Sequence, residues 1–341
     1  MNTYRITLTL RGSLGTPLSA DTLWGHVCWG LRYHEGPDAL EDFLARTASS
    51  GDTGPPLVLS DPLPAGCLPR PCLPPLAPED DQQLEDELVR HNLLPARLVE
   101  RHGALGAARK CPFLPLESFA GMIDGLTLTA WAKAACRRRP QEPEPAGRRM
   151  ITATVAHNTI DRLTNHTLAE GGLFFQEETF IAEPVAYDLW ARSPLPAERV
   201  LQLIQWGLEG GYGRDASTGK GHLEVGPIEQ KDLPAARQPN ALMTLGPCAP
   251  AAEDPPVGHW STVTRFGKLG GLWATAAEDG PDPGVFKHPV VFLATGAILK
   301  SPPRPFVGRL VRNVHPTREQ VVQYGLALTV PVRCPHLEEV R

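Results

Sequence analysis

Six glycines fall within the fifteen residues from 207 to 221, and this stretch limits the possible backbone more than any other part of the chain. The glycines are Gly207, Gly210, Gly211, Gly213, Gly219 and Gly221. Because glycine lacks a Cβ, such a segment can adopt positive φ angles and bring backbone N–H groups close to an anion. The simplest alternative is a flexible surface loop, and the flanking sequence helps to decide between the two.

The residues on either side of the glycine-rich stretch predict a helix before it and a strand after it. Pro196–Leu208 has Pro196 at a helix start, Glu198 in the first turn and an apolar face. Beyond the glycines, Leu223 and Val225 alternate with polar residues, as in a strand. A P-loop requires the opposite order, with a strand first and a Gly-Lys-Ser/Thr run opening the helix, so nucleotide hydrolysis is rejected.

The polar side chains of the glycine-rich stretch suit phosphate oxygens. Arg214 and Lys220 supply positive charge, and Ser217 and Thr218 supply hydroxyl donors. The sequence therefore predicts that this loop holds the backbone of a phosphate-bearing ligand.

Composition limits the class of protein. The chain has 341 residues, enough for two domains, with 42% hydrophobic and 21% charged residues. The net charge of −5 argues against a free-standing nucleic-acid binder that relies on bulk charge, although a local basic patch remains compatible with it. No apolar run is long enough to span a bilayer, and the N-terminus lacks the apolar core of a signal peptide. The seven cysteines are scattered through the chain, which suggests reduced thiols. We therefore expect a cytoplasmic protein.

The first residues predict a strand followed by a helix. Tyr4, Ile6, Leu8 and Leu10 alternate with polar residues, and Ser19 can cap a helix with an apolar stripe. This β–α opening, combined with the later helix, loop and strand, is compatible with a split β-α-β unit of the ferredoxin-like type.

Two insertions interrupt this first unit. The first insertion, from about residue 51 to 125, begins with a proline-rich stretch and continues with predicted helices. The second insertion, from about residue 137 to 180, is predicted to form a long hairpin, or thumb. Basic and polar residues decorate the thumb, with Phe174 and Phe175 expected near its base. Basic residues next to aromatic rings suit single-stranded nucleic acid, while core packing of both phenylalanines and a disordered arginine-rich loop are the alternatives.

The last hundred residues predict a second, smaller α+β domain. Residues 234–239 read as a linker, and three strand-like runs follow it. We therefore place an N-terminal domain at residues 1–235 and a C-terminal domain at residues 236–341.

With these residues in view, the chain resembles the RAMP proteins of CRISPR systems. It is most similar to the subunit of type III-A, Csm-type effector complexes that caps the 5′ end of the guide RNA. The resemblance covers most of the chain in five stretches. These are Ser19–Gly25, Leu59–Pro64 with Leu68–Pro71, His157–Arg162 with Gly172–Phe175, the glycine-rich loop, and Thr264–Gly271 through Gln323–Gly325.

The resemblance implies an α+β fold of two ferredoxin-like RAMP domains, the second degenerate. It implies that the glycine-rich loop and the thumb grip the 5′ handle of the crRNA, without catalysis, metal or cofactor. The RNA-binding residues implied are Ser19, Thr22, Arg148, Arg149, His157, Asn158, Thr159, Asp161, Arg162, Gly210, Gly211, Gly213, Arg214, Ser217, Thr218, Gly219, Lys220 and Gly221. The implied protein partners are the large polymerase/nuclease subunit and the backbone RAMP subunits, with target RNA contacted only indirectly.

Two other functions compete with this interpretation. A RAMP-fold endoribonuclease that processes crRNA precursors needs a general acid or base, for which His26, His157 or His166 could serve, but the sequence pairs none of them with a second titratable group. A structural interaction protein without RNA contact is the other alternative.

Overall fold

The computed structural model describes residues 1–49, 54–95, 97–138, 150–167, 172–274 and 284–338. Its helices are α1 (Ala20–Glu35), α2 (Pro37–Ala48), α3 (Pro78–Arg90), α4 (Leu98–Arg109), α5 (Leu116–Ala120), α6 (Leu128–Arg137) and α7 (Ala197–Leu208). Its strands are β1 (Asn2–Leu10), β2 (Val58–Leu59), β3 (Leu63–Pro64), β4 (Cys67–Pro69), β5 (Phe113–Pro115), β6 (Met150–Asn158), β7 (Leu173–Ile181), β8 (Val185–Ser193), β9 (Leu223–Gln230), β10 (Ala241–Thr244), β11 (Gly258–His259), β12 (Thr262–Arg265), β13 (Val290–Leu293), β14 (Ile298–Lys300), β15 (Phe306–Gly308) and β16 (Leu326–Val332). Within these ranges, none of the helices has both the length and the apolar character needed to span a bilayer.

Strand β1 lies at the centre of the first sheet. Its alternating residues Tyr4, Ile6, Leu8 and Leu10 are all buried, which confirms the predicted pattern. β1 pairs antiparallel with β8 on one side and β9 on the other, and the sheet has the order β2-β8-β1-β9, with β3 also pairing with β8. Because α1 follows β1 and α7 connects β8 to β9, this is the predicted split β-α-β arrangement.

Helices α1 and α7 cross closely because each has a glycine at the contact. A Cβ on Gly30 would lie 2.5 Å from the carbonyl carbon of Trp206, and a Cβ on Gly207 would lie 2.8 Å from the backbone nitrogen of Val27. Helix α7 begins one residue after Pro196 and delivers its C-terminal end, where the glycine-rich loop starts, directly beside α1.

The two insertions have the predicted character. The first contributes the short pair β4–β5 and helices α3 to α5, and helix α6 follows it. Buried residues of α3, α4 and α6, together with Leu94, form a separate small core. The second contains the antiparallel hairpin of β6 and β7, paired from Met150↔Ile181 to Asn158↔Leu173. We call this hairpin the thumb.

The second sheet is built from residues after 240 and has the order β11-β14-β10-β16-β15. Its core is continuous with that of the first sheet: Trp24 of α1 stacks on Tyr324 with ring centroids 4.9 Å apart, and the N–H of Leu59 donates to the Tyr324 hydroxyl over 3.0 Å. Residues 241–274 and 284–338 contain no α-helix. A second complete ferredoxin-like fold, and with it the boundary at 235/236, therefore stays a prediction.

The α1–α7 crossing generates a stability prediction. Substitution Gly30→Ala should lower the free energy of unfolding by about 1–3 kcal/mol, because the new methyl group meets the α7 backbone and forces the helices apart. Gly25→Ala, on the same helix with open space around it, is the matched control and should be neutral or slightly stabilising. Denaturant unfolding curves of both variants measure the difference, and equal stabilities would contradict a close crossing.

Candidate nucleic-acid interface

The glycine-rich loop turns sharply because several of its residues have positive φ angles. Within residues 211–221 these are Gly211 at 82°, Gly213 at 74°, Asp215 at 61°, Gly219 at 94° and Gly221 at 65°. A Cβ on Gly221 would lie only 1.9 Å from the carbonyl oxygen of Tyr212, so this position accepts only glycine. The predicted positive φ angles are confirmed for four of the six glycines, whereas Gly207 lies within α7 and Gly210 has no positive φ.

Most backbone donors of the loop are used within the protein, which differs from the expectation of bare N–H groups. Eight of them donate to protein acceptors, at Gly211, Tyr212, Gly213, Arg214, Thr218, Gly219, Lys220 and Gly221. The reason is that buried amides must be paired, and a tightly folded loop pairs them internally. The outer edge of the loop is the 3-10 turn Ala216–Thr218, where Ser217 and Thr218 are exposed.

Lys220 joins the glycine-rich loop to the thumb. Its Nζ lies 2.5 Å from Glu178 Oε1 of β7 and 3.0 Å from Asp215 Oδ2 of the loop itself. His157 of β6 approaches the same carboxylate, with Nε2 2.7 Å from Glu178 Oε1. Arg214 adds a further link by donating from Nη2 to the carbonyl oxygen of Glu177 over 3.0 Å. The loop and the thumb therefore form one junction.

The charges at this junction shift two pKa values. Partial burial lowers the pKa of Lys220, but hydrogen bonds and charge from Glu178 and Asp215 outweigh it, so the pKa is raised. The hydrogen bond from Lys220 lowers the pKa of Glu178, and the hydrogen bond with His157 lowers it further. Burial raises this pKa, but the two hydrogen bonds outweigh burial and the pKa lies below its ordinary value. Lys220 is thus an ammonium ion with two carboxylate partners, and a phosphate that approaches it has to compete with them.

The segment from Arg11 to Pro17 forms the third side of the junction. Leu14 exchanges both backbone hydrogen bonds with Thr179 of β7, over 2.8 and 2.9 Å. The hydroxyl of Thr16 accepts the N–H of Arg214 over 3.0 Å. The N–H of Gly213 donates to Nε2 of His26 over 2.9 Å, and burial lowers the pKa of His26 to about 4, so this imidazole is neutral near pH 7.

Ser19 and Thr22 support the loop from beneath it. The N–H of Ser19 donates to the Tyr212 hydroxyl over 2.9 Å, and Thr22 also hydrogen-bonds that hydroxyl. Ser19 lies at the predicted cap position of α1, but its hydroxyl donates to Asp21 and accepts from Arg265 instead of capping the helix. With Ser19 only 3% exposed, this hydroxyl faces the interior and not a ligand.

The predicted thumb residues lie around its far end. Asn158 donates to the Thr167 hydroxyl over 2.8 Å, the N–H of Thr159 donates to the Gly172 carbonyl over 2.7 Å, and Asp161 accepts the N–H of Leu163. These contacts shape the tip, next to which Arg162 is exposed. Arg148 and Arg149 lie outside the described residues.

The position predicted for Phe174 and Phe175, near the base of the thumb, is wrong. Phe174 pairs with His157 and Phe175 with Ala156, so both lie toward the tip. The Phe175 side chain is 64% exposed, which also excludes core packing for it. The error arose because the alternation of a strand gives its faces but not which end of a hairpin enters the body of the protein.

Sequence reasoning missed Glu178, the residue that holds the junction together. Two adjacent carboxylates, Glu177 and Glu178, occur in a strand otherwise lacking charge, and strand alternation places only one of them on the face that meets the loop. The pairing of His157 with Glu178 also corrects the expectation that none of the histidines has a titratable partner.

The fold has counterparts among solved structures. No protein-family model matches the sequence, and no curated protein matches it. One similar chain is from a crystal structure of a Csm1–Csm4 cassette in complex with AMPPNP, with 18% identity, a TM-score of 0.54 and coverage of 97% of this chain and 99% of that one. Another is from a Csm3–Csm4 subcomplex of the type III-A CRISPR-Cas interference complex, with 12% identity, a TM-score of 0.52 and coverage of 96% and 99%. Csm4 is common to both, and the chain has its RAMP-like fold.

The pH dependence of the junction is predictable from Glu178. The pKa of Glu178 is lower in the folded chain than its ordinary value of 4.5. The ionised carboxylate therefore stabilises the folded state at any pH above 4.5, and this stabilisation is lost as the pH falls through the pKa of the folded state. Glu178→Gln should therefore lower the melting temperature near neutral pH, with the deficit shrinking as the pH falls below 4.5.

Glu177→Gln is the control for this measurement, since it makes the same charge change at the neighbouring, exposed position. It should leave the melting temperature nearly unchanged across the same pH range. A deficit for Glu178→Gln that does not depend on pH would contradict an ionic junction.

Proposed function

We propose that this chain is a non-catalytic, RNA-binding subunit of a type III-A CRISPR effector complex that holds the 5′ handle of the crRNA. The observation that carries the proposal is the shared fold: nearly the whole chain aligns with nearly the whole length of a chain from complexes that have Csm4 in common. The junction of the glycine-rich loop with the thumb supports it, because it places cations beside an exposed turn.

The handle would run over the outer edge of the loop. Ser217 presents a hydroxyl group there, whereas the Thr218 hydroxyl donates to the Asp215 carbonyl over 2.9 Å. Arg214 and Lys220 lie next to them. A phosphate replaces a carboxylate as a partner of Lys220 without leaving the ammonium ion unpaired. The exposed ring of Phe175 on the thumb is available for a base to stack on.

The same comparison supports a proposal for the protein partners. One of the similar structures is a complex with Csm1, and the other is a complex with Csm3. We infer that this chain bridges a large polymerase/nuclease subunit and the first backbone RAMP subunit of a cytoplasmic complex, and meets target RNA only indirectly. Neighbouring subunits would then supply part of the positive charge that a chain of net charge −5 lacks.

An endoribonuclease is the second candidate, and the contact between His157 and Glu178 favours it. A histidine oriented by a carboxylate is a common general acid or base. Against this role, the same carboxylate is already bound by Lys220, and the other histidine of the junction, His26, is neutral and accepts the N–H of Gly213. We therefore assign His157 to holding the thumb.

Charge removal at the junction tests the RNA site. The double substitution Arg214→Gln and Lys220→Gln should weaken crRNA binding and make its salt dependence shallower, by about 0.7 in the slope of log K against log salt for each phosphate that is no longer neutralised. The double substitution Arg46→Gln and Arg90→Gln, at exposed positions of α2 and α3, is a control with the same charge change and should bind as the original. Equally weakened binding for both doubles would contradict a specific site.

Catalysis is tested by incubating the purified chain with labelled repeat RNA without divalent metal. We expect the RNA to remain intact, because the carboxylate that contacts Nε2 of His157 also binds Lys220, and Nε2 of His26 accepts the N–H of Gly213. Cleavage that His157→Ala abolishes, and that His166→Ala at the exposed tip leaves in place, would instead establish the endoribonuclease.

A further inference from the structure

A polar network surrounds the start of α1 and joins it to the C-terminal half. The Ser19 hydroxyl donates to Oδ1 of Asp21 over 2.5 Å and accepts from Nη2 of Arg265 over 2.9 Å. The other carboxylate oxygen of Asp21 accepts from Nε2 of Gln323 over 3.2 Å and lies 3.5 Å from Nε of Arg265. Behind it, Nζ of Lys287 donates to Oε1 of Gln323 over 2.9 Å. We call these residues the α1 network.

The charges in and beside the α1 network are balanced. The side chain of Asp21 is only 7% exposed, and the neighbouring carboxylate of Asp61 accepts the N–H of Ala20 over 2.8 Å. Burial raises the pKa of Asp61 to about 6 and lowers the pKa of Lys287 to about 8, so near pH 7 both groups are mainly charged. Two anions therefore lie beside two cations, and loss of Arg265 would leave Lys287 as the one cation next to both carboxylates.

Stabilisation of helix α1 accounts for only part of this arrangement. Asp21 lies in the first turn and Asp61 accepts an N–H there, and carboxylates are favourable at a helix N-terminus. A cation at the same end is unfavourable with respect to the helix dipole, so the dipole does not explain Arg265. What Arg265 adds is a bond to the hydroxyl of Ser19, which does not cap the helix. Arg265 therefore acts on the position of Ser19.

Ser19 ends the segment that holds the glycine-rich loop. The Ser13 carbonyl accepts the N–H of Gly221 over 2.7 Å, and the Pro17 carbonyl accepts the Tyr212 hydroxyl over 2.8 Å. The N–H of Ser19 donates to the same hydroxyl over 2.9 Å. Tyr212 is fully buried, and its own N–H donates to the Gly221 carbonyl. A shift of Ser19 therefore reaches the turn that closes the loop.

We propose that Asp21 and Arg265 are positioning residues for the RNA site. They fix the Ser19 hydroxyl, and through Ser19 and Tyr212 they hold the glycine-rich loop in the shape that binds the RNA backbone. Hydrogen bonds suit this role because each has a preferred length and direction. The inference rests on the proposed function and adds that a residue of the C-terminal half sets the RNA affinity of the loop without touching RNA.

Substitution Arg265→Gln tests the proposal on the full chain, with fluorescent crRNA as the probe. Affinity should fall by about three- to tenfold, as for a residue that acts through others. The slope of log K against log salt should stay unchanged, because Arg265 binds no phosphate. A slope reduced by about 0.7 would reveal direct phosphate contact and would overturn the positioning role. Arg265→Lys keeps the charge and a donor, and it should restore most of the affinity.

Hydrogen exchange of backbone amides gives a readout that a general loss of stability would not reproduce. In Arg265→Gln the amides of residues 211–221 should exchange faster, while those of β1 and β16 exchange as in the original chain. Unchanged exchange in the loop, or equally faster exchange throughout the chain, would overturn the proposal. Ser19→Ala removes the bridging hydroxyl and should give the same local result, so the test does not depend on the folding of one variant.

A double variant shows whether the effect passes through Tyr212. Tyr212→Phe removes the acceptor of the Ser19 N–H and should weaken RNA binding by itself. Because Arg265 acts on the loop through this hydroxyl, Arg265→Gln combined with Tyr212→Phe should bind as Tyr212→Phe alone does. Losses that add in the double variant would contradict the proposed connection.

Arg309→Gln is the matched control. Arg309 is another arginine of the C-terminal half, and its Nε donates to the Pro250 carbonyl over 3.1 Å. The substitution makes the same charge change and should leave both RNA affinity and loop exchange as in the original chain. Effects equal to those of Arg265→Gln would overturn the positioning role.

The outcomes separate this inference from the proposed function. If the original chain binds no crRNA, the proposed function fails and the positioning role fails with it. If the Arg214 and Lys220 substitutions weaken binding while Arg265→Gln binds as the original, only the positioning role is overturned.

Discussion

The closure of the glycine-rich loop is the constraint on which the site depends. Gly221 passes so close to Tyr212 that no side chain fits between them, and the Tyr212 N–H donates to the Gly221 carbonyl over 2.9 Å. The buried Tyr212 ring then carries its hydroxyl to the carbonyl of Pro17 and the N–H of Ser19, beneath the loop. One closed turn thereby ties strand β9, helix α7 and the start of α1 together, and leaves a short exposed edge facing outward.

The thumb is held by charge and by backbone pairing together. Lys220 and Glu178 attract each other at a nearly buried point, and Leu14 pairs with Thr179 beside them. Lys220 can exchange its carboxylate partner for a phosphate, whereas the backbone hydrogen bonds between Leu14 and Thr179 have no such alternative partner. A phosphate that binds Lys220 would therefore change the ion pairs at the base of the thumb while the strands of the thumb stay in place. This combination suits the proposed role of holding an RNA strand.

The sequence predicted the regular elements well, because each carries its own periodic signal. The alternation of Tyr4 to Leu10 indicated β1, the apolar faces indicated α1 and α7, and two extended runs around a polar tip indicated the thumb. The candidate site was predicted less completely. The loop and thumb were both recognised, but the sequence suggested free backbone donors where the folded loop pairs eight of them, and it placed Phe174 and Phe175 at the wrong end of the hairpin.

By itself, the sequence determined where the chain must turn and which faces it must bury, since these follow from glycine's missing side chain and from periods of 2 and 3.6 residues. Only the tertiary structure decided which distant groups meet. Glu178 and Lys220 are 42 residues apart, and Ser19 and Arg265 are 246 apart. No local pattern records such a pairing, because a contact between separate elements depends on how they pack and not on the residues beside each in the chain.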